Sequence, residues 1–414
     1  MYWKTLILVL AVAWGAVAQD AEPAQTRVDA YVPVRALTEG PHGHWFGYYD
    51  KQQFSADNRY VLGAEVTFQG RTPAPEDTIV LGMVDLETGG KWIPFGETRA
   101  WSWQQGCMLQ WVPGSDSEVI YNARDGDQFI SYIQDVFTGE KRKLPRAIYS
   151  VSPDGEYAVG TDFARIDDTR PGYGYKGGID PGAGELLPDS GGIYAIDLKT
   201  GACKDILTYR QIAAIPQEIE TKGRHWFNHL LVNTDGKRFI FLHRAYRKAP
   251  KEGGWVTRMF TAAPDGSDLF CVADHGMVSH FIWKNPKQIL AWSREPDTGN
   301  HFHLYTDQTD EFEVVGGGPL TRDGHCTYSP NGEWILTDTY PDKERMQTLM
   351  LYRPSDQKLV KLGRFFHPRV EESEFRTDLH PRWDREGKYV CIDSMNSGIR
   401  QLYLVDVSGV LSGG

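Results

Sequence analysis

Short apolar runs separated by polar turns recur along most of the chain, and the apolar runs are rich in Val, Ile, Tyr and Phe. A turn phrase of the Ser/Asn-Pro-Asp/Asn-Gly type precedes an apolar run in each copy of a repeat. The seven copies begin at Phe54, Val112, Ser152, Asn233, Lys284, Ser329 and Asp384. A second phrase of the Asp-x-x-Thr-Gly type follows the early copies and weakens in the later ones. This spacing predicts strand, tight turn, strand, longer loop, strand, Thr-Gly turn and strand in each repeat.

Seven repeats of four strands predict an all-β, seven-bladed β-propeller. The last copy ends near Val405 with no fourth strand, and the segment 31–38 near the amino end has the composition to supply it. We therefore expect strands from both termini to close the ring, which removes the open sheet edge. The prediction is one propeller domain over residues 19–414.

Two segments are too long for plain turns. Residues 162–191 are rich in Gly, Pro, Asp and Tyr, and residues 207–224 contain a short helix predicted around 209–214. Long loops on a rigid scaffold commonly carry function.

The first residues combine Lys4, an apolar run from Leu6 to Val17 and an Ala-x-Ala site ending at Ala18. This pattern is typical of a signal peptide over residues 1–18, so we expect an exported protein with no membrane anchor. The net charge of -11 argues against a nucleic-acid or anionic membrane partner. The five cysteines are widely spaced and predict no disulfide framework. We expect a monomer.

Four histidines each stand about six residues before the turn of a repeat, and they are His229, His280, His325 and His380. If the repeats are equivalent, these imidazoles begin the inner strands of blades four to seven and surround one channel. A packed or hydrogen-bonded core histidine is the ordinary alternative for any one of them. Four at one repeat position favour a metal-binding or catalytic role.

The end of the second strand opens onto the same channel mouth as the start of the first. There lie Arg124 in blade two, His243 and Arg244 in blade four, and Arg294 in blade five. The 162–191 insertion joins strands two and three of blade three, so it covers the same mouth. Its candidate substrate-binding residues are Arg170, Tyr173 and Tyr175. His44, which precedes the inner strand of blade one, is a further candidate.

His280, His325 and His380 come from adjacent blades and would share one divalent ion, with Asp378 or Asp323 adding a carboxylate oxygen. Three imidazoles and an oxygen suit manganese, zinc or iron better than an all-oxygen site suits calcium. The chain has no Gly-x-Ser-x-Gly motif, phosphate loop or Cys-x-x-Cys motif. A carboxylate pair for glycoside hydrolysis stays open, because no acidic pair is singled out by position.

The sequence resembles the seven-bladed oligogalacturonate lyases, and more distantly the propeller lyases of ulvan. The likeness runs through residues 44–55, 241–243 and 279–283, His325 and 379–381, and ends in 402–407. The resemblance implies that His243 is the general base and that His280 and His380 bind the metal. The family has a His-Pro-His-Pro run where this chain has Asp378-Leu379-His380-Pro381, so Asp378 replaces an imidazole.

Together with the signal peptide, the resemblance implies an exported lyase that cleaves uronate-containing oligosaccharides by metal-assisted β-elimination. Its cofactor would be manganese, with zinc or calcium as alternatives. A neutral His243 would take the C5 proton, Arg244 or Arg294 would stabilise the charge on the carboxylate, and His229 would support the base. Arg124 would contribute to binding the anionic sugar. Two alternatives remain, namely a rhamnosidase-like propeller hydrolase acting next to glucuronate and a propeller that binds glycan or a partner without catalysis.

Overall fold

The computed structural model of the protein describes residues 27–412. Within this range the strands form seven sheets, each built mainly of antiparallel neighbours in chain order. The seven-bladed β-propeller predicted from the repeats is therefore confirmed. The predicted signal peptide over residues 1–18 lies outside the described residues.

Blades one to three follow two short strands near the amino end, β1 (Val28–Ala30) and β2 (Val34–Ala36). Blade one contains β3 (Gly43–Trp45), β4 (Tyr60–Val66), β5 (Ile79–Asp85) and β6 (Lys91–Thr98). Blade two contains β7 (Gln110–Trp111), β8 (Glu118–Asp125), β9 (Gln128–Asp135) and β10 (Lys141–Leu144). Blade three contains β11 (Ser150–Val151), β12 (Tyr157–Thr161), β13 (Ile193–Asp197) and β14 (Cys203–Leu207).

Blades four to seven complete the ring. Blade four contains β15 (His225–Val232), β16 (Phe239–Lys248), β17 (Glu252–Ala262) and β18 (Phe270–Ala273). Blade five contains β19 (Val278–Asn285), β20 (Gln288–Glu295), β21 (Gly299–Thr306) and β22 (Phe312–Val315). Blade six contains β23 (Cys326–Tyr328), β24 (Ile335–Thr337), β25 (Met346–Arg353) and β26 (Lys358–Phe366). Blade seven contains β27 (Arg382–Trp383), β28 (Tyr389–Ser394) and β29 (Gln401–Asp406).

The ring is closed by a strand from each end of the chain, as predicted. β2 pairs antiparallel with β29, with Val34 opposite Val405, and supplies the outer strand of blade seven. β1 adds a fifth strand to the outer edge of blade six by pairing with β26. Both pairings cover strand edges that would otherwise be free to associate with other chains.

Short helices occupy the connections. α1 (Phe163–Thr169) lies in the blade-three insertion and α2 (Tyr209–Ala213) precedes blade four, close to the predicted helix. Thr208 caps α2 by accepting from the backbone N–H of Gln211, whose side chain accepts from the N–H of Thr208. A single 3₁₀ turn spans Ser373–Phe375, and α3 spans Ser408–Ser412. None of the helices in residues 27–412 is long and apolar enough to cross a membrane.

The faces of neighbouring blades pack against each other through buried aliphatic and aromatic side chains. Trp45, Trp101 and Trp103 fill one such contact, with ring centroids 5.0 to 5.7 Å apart. Such apolar layers supply most of the driving force for folding. They also hold rigidly the inner strand ends that carry the polar site.

Candidate active site at the channel mouth

The four repeated histidines converge on one aromatic side chain. The ring of Tyr49 lies 5.7 Å from that of His229, 6.0 Å from His280, 5.2 Å from His325 and 6.4 Å from His380. The Tyr49 hydroxyl donates to the carbonyl of Phe281 at 2.9 Å and accepts from its N–H at 3.0 Å. The segment after β3 therefore fills the channel beneath the histidines.

Local irregularity aims these histidines inward. His229 and His380 have positive φ angles of 52° and 42°, which few non-glycine residues adopt. The pairing of β15 with β16 shifts register between Asn228 and Leu231, at His229. The pairing of β19 with β20 also shifts, between Val278 and Phe281, at His280. Such bulges redirect side chains and commonly occur beside functional sites.

His325, Asp378 and His380 form a cluster in which one ligand atom from each residue lies within 4.8 Å of the others. The ring of His280 is 4.1 Å from that of His325. All four residues are at most 4% exposed. The structure thus brings together the four residues predicted as metal ligands.

The hydrogen bonds of this cluster fit it for a divalent ion. Nδ1 of His280 bonds Asp323 at 2.9 Å, and Nδ1 of His325 bonds both carboxylate oxygens of Asp338 at 3.0 Å. A carboxylate on Nδ1 fixes the ring and directs Nε2 toward a metal, as is usual in histidine metal sites. The candidate ligand atoms of His325, Asp378 and His380 lie up to 4.8 Å apart, close to the separation of two atoms that each bind one metal ion at about 2.1 Å. The donor set therefore fits manganese or zinc.

Burial and charge set the protonation of these groups. Burial and the nearby His325 lower the pKa of His380 well below 6.5, so its imidazole is neutral. Burial alone would lower the pKa of His325, but the carboxylates, Asp338 foremost, outweigh it and raise that pKa. Burial likewise opposes ionisation of Asp378, but its bond with Arg376 holds the pKa of the carboxyl far below its usual range. Arg376 contacts both oxygens of Asp378, at 2.6 and 2.8 Å.

His229 belongs to a second buried group in the channel. Its Nε2 lies 3.2 Å from Asp50, which also pairs with Lys51 at 2.9 Å, and its ring stacks on Phe281 at 3.9 Å. Burial lowers the pKa of His229 to about 4. His229 is therefore neutral, and its side-chain hydrogen bonds are with the residues after β3 rather than with His243.

His243 lies between blades three and four in a buried polar network. Its Nε2 bonds Nδ1 of His225 at 2.9 Å, and its Nδ1 lies 3.2 Å from a guanidinium nitrogen of Arg258. A guanidinium only donates, so Nδ1 of His243 accepts and Nε2 carries the proton toward His225. Burial lowers the pKa of His243 well below 6.5, and the neighbouring His225 and Arg258 lower it further. Both ring nitrogens are engaged in this conformation.

Arg244 follows His243 and is 4% exposed. Its Nε and Nη1 have no hydrogen-bond partner among the described residues. Its guanidinium carbon lies 5.9 Å from the Trp255 ring, and its electrostatic neighbours are Arg170, Tyr173, Tyr48 and Tyr149. Burial and the Arg170 charge lower the pKa of Arg244 to about 9. A buried cation without a carboxylate partner is suited to bind an anionic ligand.

A cleft of about 830 Å³ opens at this mouth between the blade-three insertion and residues 372–376. Arg170, Tyr173, Trp255 and Tyr340 line it. The Tyr340 hydroxyl is 3.5 Å from Nε2 of His280, so the cleft reaches the histidine cluster. The placement of the insertion over this mouth, predicted from the blade topology, agrees with these contacts.

Other predicted substrate-binding residues lie elsewhere. Tyr175 is 1% exposed and stacks on Phe163 at 4.2 Å, so it packs the base of the insertion. His44 bonds Gln401 at 3.2 Å, and its Nε2 lies 3.2 Å from the Glu65 carboxylate, between blades seven and one. Arg124 donates to the carbonyl of Lys176 at 3.1 Å, which anchors the insertion.

Arg294 also lies away from the cleft lining. Its Nε bonds Asn300 at 3.1 Å on the exposed edge of blade five. Its guanidinium is therefore engaged by its own hairpin.

Several residues of the site carry no motif of their own. Asp338 follows β24, so the rule that second strands end at the mouth would have identified it. Tyr48, Tyr49 and Asp50 lie in the segment after β3, where no repeat position marks them. Trp255 stands near the start of a third strand, which the rule does not cover.

The sequence matches no known family model, and it matches no curated protein. The fold is similar to oligogalacturonate lyase from Vibrio parahaemolyticus, with 15% identity, a TM-score of 0.63, and coverage of 92% of this chain and 96% of that chain. It is also similar to an oligogalacturonate lyase in complex with manganese, with 17% identity, a TM-score of 0.64, and coverage of 91% and 94%. The resemblance drawn from the sequence is confirmed at the level of the fold.

Proposed function

We propose that the protein is an exported polysaccharide lyase that cleaves uronate-containing oligosaccharides by β-elimination with help from a divalent metal. The observation that carries this proposal is the buried guanidinium of Arg244, which forms no ion pair within residues 27–412, at the same channel mouth as the imidazole–carboxylate cluster. The ring of Tyr48 lies 5.2 Å from that of His380, and Tyr48 is an electrostatic neighbour of Arg244. A uronate bound by Arg244 would therefore lie close to the cluster.

Elimination from a uronide requires removal of a weakly acidic proton at C5 and stabilisation of the charge that develops on the carboxylate. Arg244 can receive the carboxylate through two parallel hydrogen bonds. Its charge is worth more in a buried site than in water, because the surroundings screen it weakly.

A divalent ion bound by His280, His325, Asp378 and His380 would act as a Lewis acid toward the sugar carboxylate. Manganese fits the donor set, and one of the similar structures is a manganese complex. Asp323 and Asp338 would orient the imidazoles, and Arg376 would orient Asp378.

We assign proton removal to His243 together with His225. The two rings share a hydrogen bond, and burial keeps both neutral at pH 7, with the pKa of His225 lowered to about 4. Nδ1 of His243 is the unprotonated ring nitrogen, so it would accept the C5 proton once the bond from Arg258 opens, while Nε2 keeps its proton in the bond to His225. The pair lies on the first two strands of blade four, which also carry Arg244.

The proposal is tested by adding uronate oligosaccharides to manganese-loaded protein and following the absorbance of the unsaturated uronate product. The wild-type protein should form this product, and His243→Ala should reduce the rate at least about a hundredfold, as expected for a general base. The exposed His42→Ala variant serves as a control and should keep the wild-type rate. An unchanged rate in His243→Ala would remove His243 from the mechanism.

A further inference from the structure

The cleft above the histidine cluster has two walls of different charge. One wall carries Arg170 and Trp255, with the guanidinium carbon of Arg170 lying 3.6 Å from the Tyr173 ring and 5.8 Å from the Trp255 ring. The facing wall is the turn at residues 372–376, which contributes Glu372 and Glu374. A cleft built for a uniformly anionic chain would not need carboxylates on its wall.

Ion pairs neutralise some of the charges that line the cleft. Lys176 pairs with Asp167 at 2.8 Å, and Arg376 pairs with Asp378 at 2.6 Å. Within residues 27–412, Arg170 and Glu372 form no ion pair, and neither does Glu374. The remaining charge is positive on the side of blades three and four and negative on the side of the turn.

Glu374 is held in a fixed position although part of its carboxylate has no partner. It is 9% exposed; Oε1 accepts from the hydroxyl of Thr72, while Oε2 has no hydrogen-bond partner in the described part of the chain. Gln104 donates to its backbone carbonyl at 2.9 Å. Burying a carboxylate oxygen without a donor is costly, so this atom is suited to accept a hydrogen bond from a ligand.

Gly172 brings the two walls together. It has a φ of +88°, and a Cβ at this position would lie 2.7 Å from Cβ of Glu374. Glycine therefore allows the insertion to contact the turn, which fixes the carboxylate of Glu374 across the cleft from Arg170 and Trp255.

We propose that the cleft binds a glycan in which a uronate is followed by an uncharged sugar, and that Glu374 receives hydroxyl donors of the uncharged sugar. The uronate occupies the side of Arg244 and Arg170, and the sugar next to it stacks between the walls. A second uronate at this place would bring its carboxylate toward Glu372 and Glu374, which repel it. This inference rests on the proposed function and specifies its substrate class as alternating glycans rather than homopolymeric uronates.

The test uses two oligosaccharides of equal length, one of uronates only and one alternating uronate with a neutral sugar. The wild-type kcat/KM should be about tenfold or more higher for the alternating glycan, given the weak screening of charges in a cleft. Glu374→Gln keeps the shape and removes the charge, so it should lower kcat/KM for the alternating glycan and raise it severalfold for the homouronate. Glu371→Gln removes an exposed charge from the same turn outside the cleft lining and should change neither value.

A wild-type preference for the homouronate that Glu374→Gln leaves unchanged would overturn the inference, while the unsaturated product would still support the lyase. If neither glycan yields product, the lyase proposal fails. The specificity is then decided by binding, measured as quenching of Trp255 fluorescence with Trp255→Phe as the control. Tighter binding of the alternating glycan supports the inference, and equal or weaker binding contradicts it.

Discussion

Arg244 offers the sharpest test of whether this channel mouth is built for an anion. The lowering of its pKa from 12.5 to about 9 reflects burial first and the Arg170 charge second. At about 1.4 kcal/mol for each pKa unit, the protein surroundings disfavour the charged guanidinium by about 5 kcal/mol. Charges in proteins are screened more than dry-interior estimates imply, so we expect about 1 to 3 kcal/mol of this to be measurable.

Replacing Arg244 with methionine keeps much of the side-chain volume and removes the charge. We predict that Arg244→Met raises the free energy of unfolding of the ligand-free protein by about 1 to 3 kcal/mol. The same variant should lose the stabilisation that a uronate ligand gives the wild-type protein. The gain in stability and the loss of binding have one cause, namely removal of a buried cation that only a ligand pairs.

The measurement is the urea midpoint of wild-type protein and variant, each with and without a saturating oligouronate, in the His243→Ala background so that no ligand is consumed. Arg99→Met, which removes an exposed guanidinium, should stay within about 0.5 kcal/mol of its parent. A loss of more than about 1 kcal/mol in ligand-free Arg244→Met, or an unchanged stabilisation by the ligand, would show that Arg244 is not a destabilising cation that a uronate pairs.

Three further predictions follow from other contacts. Lys51 and His229 hold the pKa of buried Asp50 at about 2 against the opposing effect of burial. The ionised Asp50 carboxylate therefore stabilises the fold above about pH 4, and this contribution is lost as the pH falls toward 2. Asp50→Asn should lower the free energy of unfolding by about 2 to 3 kcal/mol at pH 6, and this difference should shrink between pH 4 and pH 2. A difference in the free energy of unfolding between wild type and Asp50→Asn that stays constant from pH 6 to 2.5 would contradict this prediction. Metal analysis should find about one divalent ion per chain, lost in His380→Ala and kept in His42→Ala, and equal metal content in both variants would remove His380 from the ligand set. Gly172→Ala should destabilise the protein by about 1 to 3 kcal/mol, from its positive φ and the contact with Glu374, and an unchanged thermal midpoint would show that the turn relaxes.

The fold was predictable because each repeat contains short turn sequences and apolar strands that determine its local structure. Each turn phrase fixes a hairpin, and seven hairpin-containing units of similar length close into a ring, with Val34 opposite Val405 at the seam. The proximity of His280, His325 and His380 was predictable for the same reason, since the three histidines share one repeat position. Asp378 was predicted as a metal ligand because it stands two residues before His380, where the lyase family has a histidine.

The surroundings of the site depend on packing that repeat position does not record. Tyr175 stands in the insertion beside Tyr173, yet one ring packs on Phe163 and the other faces the cleft. Arg244 and Arg294 lie on the second strands of blades four and five, but Arg294 bonds Asn300 while Arg244 is buried. Such differences arise from neighbouring blades and insertions, which a single strand pattern does not contain.

The products of cleavage distinguish β-elimination of a uronate from hydrolysis. Mass spectrometry of the products from a defined uronate-containing oligosaccharide, with the absorbance of the conjugated uronate recorded in parallel, separates the two cleavage chemistries. We predict two fragments whose masses sum to that of the substrate, one of them carrying the new double bond and absorbing. Fragments whose masses sum to substrate plus one water, with no new absorbance, would identify a hydrolase and exclude β-elimination.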